Sequence, residues 1–238
     1  MLTAILAGAP ARSIEDVVAI MAAIDQHLPD TDGVKWFNRL YLRVTEHVRK
    51  AVVVDAFSDP EFMAALDVDF ANLYFEALIR GEPRVEHAPA AWRPLLECRH
   101  RPGIARLQFA LAGMNAHINR DLPAGIVQVF DRRGGDPVSG DARRHDFDNL
   151  NDLLERVQAE VKHEFSTGVI RVVDELAGRV DDVAAMWQVR KARAAAWTNA
   201  EVLWTLQPFP RVRSAFFDKL DSLTGLASRG LLLSDDRP

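Results

Sequence analysis

The chain has 238 residues, 48% of them hydrophobic and 26% charged, and a formal net charge of -5. That is long enough to bury a substantial core and too apolar for wholesale disorder, while the acidic balance argues against a generic nucleic-acid binder, which needs a basic face for phosphate. A single cysteine, Cys98, excludes an internal disulfide framework.

In chain order, Met1–Pro10 lacks the basic flank and long apolar run of a secretory signal, and residues 1–12 are expected as a loose arm. Ser13-Ile-Glu-Asp16 is a helix start, with serine as cap and an acid three residues on. That helix should run to about Leu28 and turn at Pro29–Gly33, and a second should cover Val34 to Val54. Ser58-Asp-Pro-Glu61 starts a third, with Ser58 as cap and Glu61 at capping-box spacing; it should end near Gly81, with a break expected at Asp67. A short helix over Ala90–Cys98 packs Leu95, Leu96 and Cys98 inward.

Helices are then expected over Ile104–Asp121 and from Pro123 to before Gly134-Gly135, with a loop over Asp131–Arg144. Phe147–Phe165, resuming to Leu176, Asp181–Leu206 and Arg211–Leu226 complete the set, with 230–238 a loose tail. No segment alternates as a strand does, none repeats, and none approaches the roughly 20 apolar residues of a membrane span. The expectation is one all-α domain over 1–238, a bundle of about eight to ten helices, soluble and cytoplasmic.

The informative helix is Ile104–Asp121. Ile104, Leu107, Leu111, Met114 and Ile118 form an apolar stripe, and the opposite side carries Ala105, Phe109, Ala112 and Ala116. Asn115, His117, Asn119 and Asp121 are therefore polar groups on a buried element and must find partners there. His117 and Asp121, four apart, suit two ligands of one metal, or a carboxylate orienting an imidazole for acid–base work. Equally, they suit hydrogen bonds that tie helices together.

On the second helix Asn38, Tyr41 and Thr45 share a face, with a helix–helix contact as the plainer account. Asp146 and Asp148 meet a helix start, where acids are favourable anyway; Asp148 is the candidate third metal ligand. Arg193 and Trp197 belong to a stripe that is either core edged by ion pairs or the wall of a ligand pocket. Glu97-x-x-His100 and Glu160-x-x-His163 match di-iron spacing without the completing glutamates. Asn151 to Glu160 loosely resembles the second magnesium motif of terpene cyclases, with glutamate where a hydroxyl is expected.

Three passages, Asp32-Gly-x-x-Trp36-Phe-Asn38-x-Leu-Tyr41, Gly113-Met-Asn-Ala-His-Ile-Asn-x-Asp121-Leu-Pro123 and Trp187 to Trp197, resemble an uncharacterised bacterial family of helical proteins common in actinobacteria. The resemblance spans most of the chain and implies a helical fold and no known activity. His117-x-x-x-Asp121 is also similar to one ligand pair of zinc phospholipases, whose further histidines have no placed counterpart here.

These readings converge on one expectation: an enzyme acting on a small, partly apolar molecule in an interhelical pocket. His117 and Asp121 are its catalytic pair, and Asn38, Tyr41, Asn115, Asn119, Arg193 and Trp197 bind substrate. If a divalent metal ion takes part, His117, Asp121 and Asp148 are its ligands. The alternative is a non-catalytic ligand-binding or interaction protein in which the same residues are structural. No nucleic acid is expected as partner.

Overall fold

The computed structural model describes residues 2–54, 56–140, 142–152, 154 and 189–233. Every regular element among them is helical, and they form one bundle. After a short turn at Leu2–Ile5 come α1 (Ile14–His27), α2 (Gly33–Val53), α3 (Pro60–Gly81), α4 (Arg93–Cys98) and α5 (Arg106–Ala116). A π-helical turn, His117–Asp121, joins α5 to α6 (Leu122–Arg133). Then follow α7 (142–152), α8 (Val189–Thr205) and α9 (Pro210–Leu231). The expected helices over 153, 155–176 and 181–188 lie outside the described residues. Among those described, no helix is long and apolar enough to cross a membrane.

Local chemistry sets the starts. Ser13 closes a reciprocal capping box with Asp16 at the head of α1. At α3 the cap is Asp59, not Ser58: its carboxylate accepts from the Phe62 amide, and the amides of Ser58 and Asp59 donate to Asp146 of α7. The Asp59 carboxylate also pairs with Arg143 at 2.9 Å, a contact between opposite charges that a serine hydroxyl does not supply. No break occurs at Asp67, and α3 runs unbroken for 22 residues. Residues 2–12 are tied to the bundle, since Leu2 and Leu6 are buried in the core and the Ala11 amide and carbonyl both bond the side-chain amide of Asn72. The tail is likewise tied down at its start, where Gln108 donates to the carbonyls of Leu231 and Leu233.

The core has two clusters. One gathers α1 to α5; the other gathers parts of α2, α3 and α6 with α7 and α8. Val44, Val52, Phe70 and Met114 border both.

Helices α2 and α5 approach closely because each offers a glycine to the other's phenylalanine. A Cβ at Gly33 would lie 2.3 Å from the Phe109 ring, and one at Gly113 would lie 2.3 Å from the Phe37 ring. Both pairs step one turn in the same direction, so α2 and α5 run parallel. The next turn in that register sets Tyr41 against His117, with ring centroids 4.5 Å apart. Helix α3 runs antiparallel to α2: Asn38 meets Tyr74, and Tyr41 meets Phe70. That register brings Thr45 level with Asp67.

Candidate functional site

The turn that carries His117 to Asp121 is π-helical. The His117 amide is shared between the carbonyls of Gly113 and Met114, and the Leu122 amide reaches back five residues to the His117 carbonyl. Such wide turns recur at functional sites, because the extra residue re-aims the side chains around it. Here the turn drives both His117 and Asp121 inward, to 1% and 0% exposure.

Asp121 is the hub. Its Oδ2 accepts from Trp92 Nε1 at 2.9 Å and pairs with His117 Nδ1 at 3.0 Å, and its Oδ1 accepts from Arg120 at 2.6 Å. Oδ2 already accepts from Trp92, so in its pair with the imidazole it accepts again and His117 donates from Nδ1, which carries the hydrogen. Nε2 is then a bare lone pair, buried and without a hydrogen-bond partner. Burial pushes the imidazole below its ordinary pKa more than the Asp121 contact raises it, which keeps the ring neutral.

Five rings surround the imidazole: Phe37, Tyr41, Phe70, Tyr74 and Trp92. Phe70 stacks flat on it, at 3.5 Å between centroids and 7° between planes. Beside this cage lie Oδ2 of Asp67, buried and without a partner, and the buried hydroxyls of Tyr41 and Thr45, which interact with each other and with no further group among the described residues. Burial, then the charges of Asp67 and Asp121, push the Tyr41 phenol well above its usual range. Burial alone pushes the Asp67 carboxyl up to about 7.

Of the residues expected at a site, the structure therefore gathers His117, Asp121 and Tyr41. Asn38 sits nearby with both ends engaged, donating to the Met21 carbonyl and accepting from Tyr74. The others hold helices together. Asn119 donates to Asn115, which donates to the Thr224 carbonyl and Ser228 of α9. Arg193 binds Asn151 and the Phe147 carbonyl with its guanidinium over the Phe147 ring, and Trp197 donates to the Pro137 carbonyl. These are contacts of the second core cluster. Burial pushes Arg193 down to about 9, still protonated at neutral pH.

The expected metal set is not assembled. Asp148 pairs with Arg144 one turn away, and among the described residues no three His, Cys, Asp or Glu side chains group so as to hold an ion. His117 Nδ1 and both Asp121 oxygens are already engaged, which leaves Nε2 as the one open donor of the pair, with no second or third ligand grouped beside it among the described residues. Glu97 of the di-iron spacing faces Arg229 on the surface, and Glu160 with His163 lies outside the described residues. In the cyclase-like segment Asn151 and Asp152 serve Arg193 and Arg190.

Sequence reasoning missed Asp67, Thr45 as a site residue, Trp92 and Phe70. The signal for Asp67 was available: an aspartate between Leu66 and Val68 in a helix whose apolar residues continue on both sides.

No curated protein and no solved structure is similar enough to this chain to match it. Residues 14–234 do match a family, and the chain belongs to that family of unknown function, DUF5995.

Proposed function

We propose that the protein is a cytoplasmic enzyme acting on a small, partly apolar molecule by acid–base chemistry at His117. One observation carries this reading: the imidazole is held by Asp121 through Nδ1, and its Nε2 is neutral, buried and unpaired. That is the arrangement of a general base whose carboxylate partner orients it and stabilises the imidazolium once a proton is taken. Tyr41, in contact with the imidazole, is a hydroxyl placed to hydrogen-bond the same molecule. Substrate reaches Nε2 when a covering side chain moves.

The purified protein incubated with a small-molecule extract, every component followed by mass spectrometry, tests the reading. A component consumed by the wild type and spared by His117→Gln is expected. An extract left unchanged by the wild type sinks it.

A second reading is favoured by a different observation. Asp121 already receives Trp92, Arg120 and His117, and five rings enclose the imidazole. In that case the network serves to lock α4, α5 and α6 in a non-catalytic binding or interaction protein.

A further inference from the structure

Phe70 is the closest ring to His117 and differs from the other four around it. Phe37, Tyr41, Tyr74 and Trp92 are buried, whereas Phe70 is partly exposed and borders both core clusters. Its ring covers one face of the imidazole, and as the one partly exposed ring of the five it is the one whose rotation would open the site. What it leaves is a slot shaped for a flat ring stacked on imidazole.

The polar atoms near this slot define the rest of a ligand. His117 Nε2 accepts, and the Tyr41 and Thr45 hydroxyls both donate and accept. Asp67 lies one helical turn before Phe70 and level with Thr45, with its Oδ2 buried and unpaired. A carboxyl held near neutrality by burial adds a donor there. The Asp121 charge is met by Arg120. A charged ligand would be desolvated here with no counter-charge, at prohibitive cost.

We propose that the His117 site takes an uncharged planar molecule bearing a hydroxyl or carbonyl. Its ring replaces that of Phe70 on the imidazole, and its oxygen reaches the group formed by Tyr41, Thr45 and Asp67. This rests on the reading that a small molecule meets His117, and adds its class and the residues that select it.

Phenol, toluene and benzoate are suitable probes of similar size. With the wild-type protein, phenol is expected to shift the His117 ring signals in nuclear magnetic resonance spectra, and benzoate is not. Phe70→Ala, or Phe70→Leu if alanine does not fold, should bind phenol about tenfold more tightly than the wild type does. The same variant should prefer phenol to toluene by about tenfold, the worth of one good hydrogen bond. Adding Tyr41→Phe and Asp67→Leu should erase that preference while toluene still binds. Equal affinity for phenol and toluene in the opened variant, benzoate binding as well as phenol, or no response of His117 to phenol each overturns the proposal. Phenol binding as expected beside an unchanged extract would sink the catalytic reading alone. A consumed component with no phenol preference would sink this one alone.

Discussion

Gly113 lies so close beneath the ring of Phe37 that a Cβ at position 113 would come within 2.3 Å of it. The contact sets the spacing of α2 and α5, and through it the meeting of Tyr41 with His117 one turn further on. Gly113→Ala should therefore destabilise the protein by about 1–3 kcal/mol through overpacking. Phe37→Leu makes room, so the double variant should lose less than the two single losses combined. Urea midpoints of the four proteins measure this, and simple additivity would show that the contact does not set the helix spacing.

Removing the hub should cost more than removing any one donor. Asp121→Ala leaves Trp92 Nε1, His117 Nδ1 and part of the Arg120 charge without an acceptor, a loss of roughly 3–5 kcal/mol. Asp121→Asn keeps an acceptor oxygen and should lose less. Chemical denaturation compares them, and a loss below about 1 kcal/mol for the alanine variant would mean the network relaxes freely onto other groups.

Asp67 should make stability fall as pH rises. Its carboxyl is raised from 3.8 to about 7 by burial in the folded chain, so the folded state holds a proton that the unfolded state has released. The stabilising contribution is complete below the unfolded value and disappears as pH climbs through the folded one. Between pH about 4 and 7 the wild type should lose on the order of 2–4 kcal/mol relative to Asp67→Asn, measured by denaturation at each pH. A difference that stays flat across that window would show Asp67 to be normally hydrated.

Arg193 separates the structural role from the site. Its guanidinium satisfies Asn151 and the Phe147 carbonyl inside the second cluster, so Arg193→Met should lower stability by about 2–4 kcal/mol. The same variant should leave the ring signals of His117 where they were. Movement of those signals would tie the two clusters more closely than the packing indicates.

The helices were legible because their apolar spacing is strong, as in Ile14, Val17, Met21 and Ile24, all buried in α1. The burial of His117 and Asp121 was legible for a related reason, since their helix has no charged face to turn outward. What periodicity cannot convey is the direction of a polar group's partner. Asn115, Arg193 and Trp197 are buried too, yet each reaches a neighbouring carbonyl and completes a helix contact. Asp67 stayed hidden because its place opposite Thr45 depends on how α2 lies on α3. The cap at Asp59 rather than Ser58 likewise depends on Arg143 and Asp146, more than 80 residues away.

The two core clusters adjoin along a line of shared side chains, and the π turn at His117–Asp121 lies where the chain passes from one to the other. A protein built this way can breathe as two halves, each with its own free energy of sub-global opening. Amide hydrogens of α1 and of α8 should then exchange with deuterium in two separate classes. The wide turn between them, whose hydrogen bonds span one residue more than those of its neighbours, marks the seam along which the two would part.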